Sequence, residues 1–204
     1  MKGKRMEHNV NAFFDELIMT LRGPMLEKVL ALRDTPRAKP DGSFVTEGDL
    51  LVDELVANLV HEHLPGATII SEETHHASGI SDLHGWIVVV DPIDGTENFT
   101  SGLPEWGVSV SCYHNGKHAG SLLGAPELGQ WLRTGDSVPR HRSRIRGLSS
   151  SLSKEQILQV GTGPEYRMIG CCVVNMMAVI RGSYLSFENP KGANAWDILA
   201  GLNL

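Results

Sequence analysis

The stretch that decides the fold is residues 86–99, WIVVVDPIDGTENF. A run of β-forming residues leads directly into Asp91, and Asp94 follows three positions later, across a proline and in front of a glycine. A buried strand that ends in such a tight bend would place both carboxylates and the Ile93 carbonyl on one side of it. Hard divalent cations prefer oxygen ligands, so the stretch predicts a metal site at the end of a strand.

Taken alone, this stretch leaves two interpretations open. Asp-Pro and Asp-Gly pairs are also common in ordinary turns, which bind no ligand. If the segment after the bend is helical, however, the backbone amides of Gly95 and Thr96 would point toward an anion. Metal ligands beside amide donors are what a phosphate ester site requires, and the rest of the chain favours this second interpretation.

Further acidic residues stand at the ends of apolar segments. They are Glu72 and Glu73 after TIIS, Asp49 at the start of a helical pattern, and Asp197 in AWDILAG. Carboxylates at the ends of buried elements need a positive partner, because burial otherwise favours their neutral form. We expect no lysine or arginine beside these segments, which makes a metal ion the expected partner. An ordinary helix-capping role remains the alternative for Asp49 and Asp197.

The composition indicates an ordinary globular protein in a reducing compartment. The 204 residues carry a formal net charge of −6, which makes nucleic acid an unlikely main partner because phosphate-backbone binding needs a basic surface. The three cysteines are too few for a disulfide framework. No segment has the apolar run of a signal peptide or of a membrane span. We therefore expect a cytoplasmic protein without membrane contact.

Hydrophobic periodicity predicts a mixed α/β chain. The predicted helices cover residues 10–32, with a break at Gly23 and Pro24, a segment that starts near Thr46, residues 167–182, and a segment from residue 193. The predicted strands cover residues 67–71 and 86–91, and a hairpin turns at Asn115 and Gly116. Residues 133–154, rich in arginine and serine, predict a loop. We expect residues 1–125 to form an α+β lobe with the metal site and residues 126–204 an incomplete α/β lobe, in one compact unit.

At these motifs the chain resembles the inositol monophosphatase superfamily of magnesium-dependent, lithium-sensitive phosphatases. The matching residues are Asp49 in VTEGD, Glu72 in SEET, residues 91–96 in DPIDGT, Asn98 and Phe99, and Trp196 and Asp197 in AWDILAG. The resemblance covers nearly the whole chain. It implies a layered αβαβα sandwich of the inositol monophosphatase and fructose bisphosphatase type, with a shortened second lobe.

The resemblance also implies a role for each matched residue. Two or three Mg²⁺ ions would be held by Glu72, Asp91, the Ile93 carbonyl, Asp94 and Asp197. Thr96 and Asp49 would orient a metal-activated water and help to deprotonate it for attack on phosphorus. The amides of Gly95 and Thr96 would hold the phosphate oxygens.

The substrate is less well specified than the reaction. We expect a small phosphorylated metabolite resembling inositol monophosphate, with Glu188 binding a substrate hydroxyl. Histidinol phosphate, a 3′-phosphonucleotide or a sugar bisphosphate remain open as alternatives. Because the family continues beyond WDILAG, we expect an incomplete second lobe and a homodimer. A catalytically weak relative that acts as a binding or regulatory protein is the alternative from another functional class.

Overall fold

A five-stranded mixed sheet organises the larger part of the chain in the computed structural model, which describes residues 2–40, 42–74, 84–150, 152–160, 165–190 and 192–204. The described helices are α1 (Lys2–Leu21), α2 (Pro24–Leu30), α3 (Glu47–His63), α4 (Thr96–Thr100), α5 (Lys154–Val160), α6 (Cys172–Ile180) and α7 (Ala195–Leu202). The described strands are β1 (Arg37–Ala38), β2 (Phe44–Val45), β3 (Thr68–Ser71), β4 (Trp86–Asp94), β5 (Gly107–His114), β6 (Lys117–Ala125), β7 (Gln130–Arg133), β8 (Arg146–Leu148), β9 (Tyr166–Met168) and β10 (Ser186–Glu188).

The large sheet has the strand order β3-β4-β5-β6-β7. Strands β3 and β4 are parallel, and the remaining pairs are antiparallel. Helices α1 and α3 pack together and cover one face, whereas α6 and α7 pack on β5 and β6. A second sheet, β10-β8-β9, contacts α6 through β10. Helix and sheet layers therefore alternate, as expected for the mixed α/β sandwich.

Strand β4 explains how the side chains of two aspartates three positions apart come to lie near each other. In a regular strand, residues i and i+3 point to opposite faces. The pairing register with β5 shifts between Asp91, opposite Ser109, and Asp94, opposite Gly107. The extra residue of this bulge restores a common side for the two carboxylates. The prediction that the strand ends at residue 91 was wrong, because β4 continues through the bulge to Asp94.

Three local predictions agree with the structure. Thr46 and Asp49 form a reciprocal capping box at the start of α3. The first helical segment is divided between α1 and α2, with Pro24 at the first position of α2. The β5–β6 hairpin turns through Asn115 and Gly116, whose φ angles of 51° and 72° suit a two-residue turn.

Two predictions for the second half of the chain were wrong. Residues 133–154 contain β8, and residues 167–182 contain the end of β9 before α6 begins at Cys172. Strand β8 pairs in parallel with both β9 and β10, so its partners lie far along the chain. Its Gly147 also packs closely on α6, because an added Cβ would lie 2.9 Å from Asn175 Oδ1. A polar, glycine-containing segment carries no local signal for such a strand.

Strand β7 extends the large sheet as far as Arg133, past the lobe boundary expected at residues 125 and 126. The division into lobes 1–125 and 126–204 stays a prediction. Among the described helices, none combines the length and the apolar character that a membrane span needs.

Candidate metal centre

Three carboxylates from separate elements meet at one end of the large sheet. Oxygen atoms of Glu72, Asp91 and Asp197 all lie within 4.8 Å of one another. Glu72 directly follows β3, and its amide donates to Val90 O at 3.1 Å, which aligns it beside Asp91 on the parallel neighbour β4. Asp197 arrives on α7, whose start is tied to the sheet because Ser109 Oγ donates to Trp196 O at 2.8 Å. Three of the acids that the sequence singled out are thus close together.

Asp91 is the most deeply placed member of this cluster. Its side chain is 1% exposed, and Oδ1 has no hydrogen-bond partner among the described residues. Burial raises the pKa of Asp91 well above its ordinary value, and the charges of Asp94 and Glu72 raise it further. A buried carboxylate oxygen without a donor is costly unless a cation binds it, so this atom fits a metal ligand.

Asp94 lies behind the bulge and contacts the start of α6. Its Oδ2 accepts hydrogen bonds from Cys171 Sγ at 2.9 Å and from the Val173 amide at 2.5 Å. Burial raises the pKa of Asp94 to about 7, and these two donors oppose the rise. No sequence pattern connects Cys171 with Asp94, because the two residues are 77 positions apart.

Asp49 and Thr96 approach each other across the same region. Thr96 Oγ1 lies 3.4 Å from Asp49 Oδ1 and 3.1 Å from the Ile93 carbonyl oxygen, either of which its hydroxyl can donate to. Asp49 Oδ2 accepts from the Thr46 amide at 2.7 Å. Asp49 is therefore a capping residue through one oxygen and a neighbour of Thr96 through the other. Burial raises its pKa.

Lys39 corrects the expectation that no basic side chain accompanies these acids. Its Nζ lies 2.9 Å from Glu72 Oε1 and 2.8 Å from Glu73 Oε1. The β1–β2 hairpin carries Lys39 to this position, and the Lys39 amide donates to Ser43 O at 2.7 Å within it. The lysine partly compensates the two glutamates, but no described contact joins it to Asp91. Sequence spacing missed it because the contact spans 33 residues.

The remaining predicted site residues lie in two different surroundings. Gly95 has a φ of 84° and caps α4, which begins at Thr96. An added Cβ at Gly95 would lie 3.1 Å from Cys171 Cβ, so the turn needs glycine both for its conformation and for space. Glu188 lies on β10, where Arg146 Nη1 donates to Glu188 Oε1 at 3.2 Å. No described contact joins Glu188 to the acidic cluster, and its substrate-binding role stays a prediction.

Comparison with known proteins identifies the family. Residues 15–137, more than half of the chain, match the model of the inositol monophosphatase family. The chain belongs to the inositol monophosphatase family. The matched residues include Asp49 on α3 and the strands and turns that carry Glu72, Asp91 and Asp94, whereas Asp197 lies beyond them.

The relatives of this family member carry different names. The chain is 26% identical over 176 residues to a fructose-1,6-bisphosphatase/inositol-1-monophosphatase of Thermotoga maritima, which covers 78% of this chain and 66% of the relative. It is 27% identical over 184 residues to a Nus factor SuhB of Pseudomonas aeruginosa. That alignment covers 78% of this chain and 67% of the relative. The chain thus spans about two thirds of the length of the curated relatives it matches.

Solved structures agree with the layered fold. A staphylococcal inositol monophosphatase-1, solved as a LiCl-soaked inhibitory complex, superposes with a TM-score of 0.83 at 16% identity, over 96% of this chain and 79% of that one. The extragenic suppressor protein suhB of Bartonella henselae gives a TM-score of 0.78 at 19% identity, over 94% of this chain and 82% of that one. The fold of the chain is that of the inositol monophosphatases.

Proposed function

We propose that the chain is a Mg²⁺-dependent phosphatase that hydrolyses a small phosphomonoester resembling inositol monophosphate. The observation that carries this proposal is the acidic cluster around the buried Asp91, whose Oδ1 has no hydrogen-bond partner among the described residues. Family membership supports phosphatase chemistry, and the names of relatives include inositol-1-monophosphatases of Mesorhizobium japonicum and Rhizobium meliloti.

The donors of the cluster suit a hard cation. The three side chains that meet there, Glu72, Asp91 and Asp197, are all carboxylates, and Lys39 contacts only Glu72 among them. In the proposal, two or three Mg²⁺ ions are held by Glu72, Asp91, the Ile93 carbonyl, Asp94 and Asp197. Bound Mg²⁺ would supply the positive charge that stabilises a phosphoryl group and its leaving oxygen during displacement.

The protein's own groups would handle the proton and the phosphate. A water that donates to Thr96 Oγ1 can release its proton there, while the Thr96 hydroxyl proton passes to Asp49 Oδ1, 3.4 Å away. The raised pKa of Asp49 favours its acceptance of that proton. Gly95 and Thr96 open α4 and would present their amides to the phosphate oxygens. Glu188 would contact a substrate hydroxyl if Arg146 releases it.

Substrate choice within this class is the finer part of the proposal. Two structural relatives were solved with D-inositol-1-phosphate and with NADP, under the name of inositol monophosphatase/NADP phosphatases. These relatives support inositol monophosphate as the first candidate. A 3′-phosphonucleotide, histidinol phosphate and a sugar bisphosphate are the alternatives. One panel of these four esters would rank them.

The test is phosphate release from that panel in the presence and absence of Mg²⁺. We expect release only with Mg²⁺, and we expect Asp94→Asn to abolish it. Asp136→Asn is the matched control, because this carboxylate lies in an exposed turn and pairs with Arg133. No release from any ester, or release that Asp94→Asn leaves intact, would overturn the proposal.

A regulatory role is the second candidate, and one observation favours it. Arg140, Arg142 and Arg144 are exposed on the loop before β8, and none of them has an ion pair in the part of the chain that the structure describes. A chain that binds an acidic partner through them should lose that binding in salt and on replacement of all three by alanine. Unchanged binding after replacement would show that the three arginines do not bind the partner.

We also propose a homodimer in the cytoplasm. A dimer interface would cover large apolar side chains that are exposed in the described part of the chain, among them Leu158, Leu185 and Leu202 at 78%, 59% and 70% exposure. All three cysteines are free, which suits a reducing compartment. Light scattering after gel filtration would decide the oligomeric state.

A further inference from the structure

Cys171 occupies a connecting position between the second half of the chain and the candidate metal centre. It is 2% exposed and caps the N-terminus of α6, where its sulfur accepts from the Val174 amide at 3.4 Å. Its carbonyl oxygen accepts from Asn175 Nδ2 at 2.7 Å. These contacts hold the residue in one orientation, so the direction of its S–H bond is restricted.

The thiol donor is directed at Asp94. Cys171 Sγ lies 2.9 Å from Asp94 Oδ2, and the Val173 amide donates to the same oxygen at 2.5 Å. The donors are the N-cap residue and a first-turn residue of a nine-residue helix, whose positive end also favours a carboxylate. Two donors on Oδ2 orient the carboxylate and leave its Oδ1 for another partner.

The segment that carries Cys171 is held from the opposite side as well. Asn98 Nδ2 donates to Ile169 O at 2.6 Å and to Glu105 O at 2.7 Å. Gly95 leaves only enough space for the Cys171 side chain, since an added Cβ would lie 3.1 Å from Cys171 Cβ. The start of α6 is therefore aligned with the turn that follows Asp94, and the thiol cannot move without disturbing that turn.

We propose that Cys171 is a positioning residue of the metal centre, whose thiol holds Asp94 Oδ2 so that Oδ1 is presented to the cation. The inference rests on the proposed function, because it assumes that Asp94 is a metal ligand. Hydrogen-bond partners of metal-ligating carboxylates typically change metal affinity about 10- to 100-fold when removed. Capping of α6 alone would change stability and leave that affinity unaltered.

The neighbouring thiol is a matched control. Cys172 is the first residue of α6 and is partly exposed, and no described hydrogen bond joins it to Asp94. Replacement of Cys172 by alanine removes a thiol from the same turn without removing a donor to the carboxylate. Serine at position 171 supplies a hydroxyl that can both donate to Asp94 and accept from the Val174 amide, whereas alanine can do neither.

The experiment is calorimetric titration of the metal-free full chain with MgCl₂, for wild type, Cys171→Ala, Cys171→Ser, Cys172→Ala and Asp94→Asn. We expect Cys171→Ala to raise the Kd for Mg²⁺ about tenfold and Cys171→Ser to stay within about threefold of wild type. Cys172→Ala should bind as wild type does. Melting curves without metal would show that each variant is folded, and Cys171→Val replaces the alanine variant if that one is not.

Four outcomes would overturn the inference. They are unchanged affinity in Cys171→Ala, equal weakening in Cys171→Ala and Cys172→Ala, failure of serine to restore affinity, and unchanged affinity in Asp94→Asn. A wild type that binds no Mg²⁺ would overturn it together with the proposed function. A wild type that binds Mg²⁺ with the expected pattern but hydrolyses no ester would refute only the proposed function.

Discussion

Replacement of Asp94 by asparagine should stabilise the metal-free protein and remove most of the stabilisation by Mg²⁺. Asparagine has nearly the same shape, and its amide oxygen can still accept from Cys171 and Val173. What it removes is a negative charge that is buried close to other carboxylates. Burial raises the pKa of Asp94 to about 7, with Asp197 and Glu72 adding to the rise.

The size of the effect follows from that pKa and its sign. A carboxyl whose folded pKa lies above its ordinary value of 3.8 adds stability below pH 3.8, and this stability is lost as the pH rises toward about 7. At about 1.4 kcal/mol for each pH unit between the two values, the ionised group costs the fold about 4 kcal/mol at pH 8. In the wild type, neighbouring carboxylates can bind a proton when Asp94 ionises, which reduces the repulsion. We therefore expect Asp94→Asn to raise the free energy of unfolding by about 2 kcal/mol rather than about 4 kcal/mol.

Urea unfolding in EDTA at pH 5, 6, 7 and 8 measures this directly. The wild type should lose stability as the pH rises, and Asp94→Asn should lose less, so that the two curves separate toward pH 8. With Mg²⁺ at a hundredfold excess over Kd, the wild type should gain about 2.7 kcal/mol and the variant far less. A variant that is less stable than the wild type at pH 8 without metal would refute the electrostatic reasoning.

Three further predictions concern the surroundings of the site. Lys39→Met should lower the metal-free stability by about 1 kcal/mol in urea unfolding, because Glu72 and Glu73 lose their shared cation; equal stability would show that the ion pairs contribute nothing. Asn98→Ala should cost about 2 kcal/mol, since two carbonyl oxygens lose a buried amide donor, and a loss below about 0.5 kcal/mol would contradict this. Lithium should inhibit phosphate release at millimolar concentrations, as the resemblance implies, and insensitivity to lithium would count against that implication while leaving the metal site in place.

Some features of this protein could be predicted from its sequence because they depend on neighbouring residues. The Thr46–Asp49 capping box and the Asn115–Gly116 turn each depend on residues within four positions, and both are present. The acids of DPIDGT, together with Glu72 and Asp197, were recognisable because charges at the ends of apolar segments need compensation. Their roles as metal ligands stay predictions, but the structure brings Glu72, Asp91 and Asp197 together.

Other features depend on contacts between distant parts of the chain, and no local sequence pattern predicts them. Strand β8 forms because β9 and β10 pair with it, although its sequence, Arg-Gly-Leu, carries no pattern of a strand. Lys39 reaches the glutamates through a hairpin, and Cys171 reaches Asp94 because α6 starts against the turn after β4. The partners are 20 and 40 residues from β8, 33 residues from Lys39 and 77 residues from Cys171.

The sequence by itself determined the family, the sandwich of helices and sheets, and the set of acids available for a cation. Residue types and short spacings carry this information, because strand, turn and capping preferences act within a few positions. Only the tertiary structure decided how those acids are held. The bulge in β4 turns two aspartates to one side, Lys39 compensates the glutamates, and the buried thiol of the residue that caps α6 donates to Asp94. Such partners are selected by packing across the fold, and packing follows distance in space rather than distance along the chain.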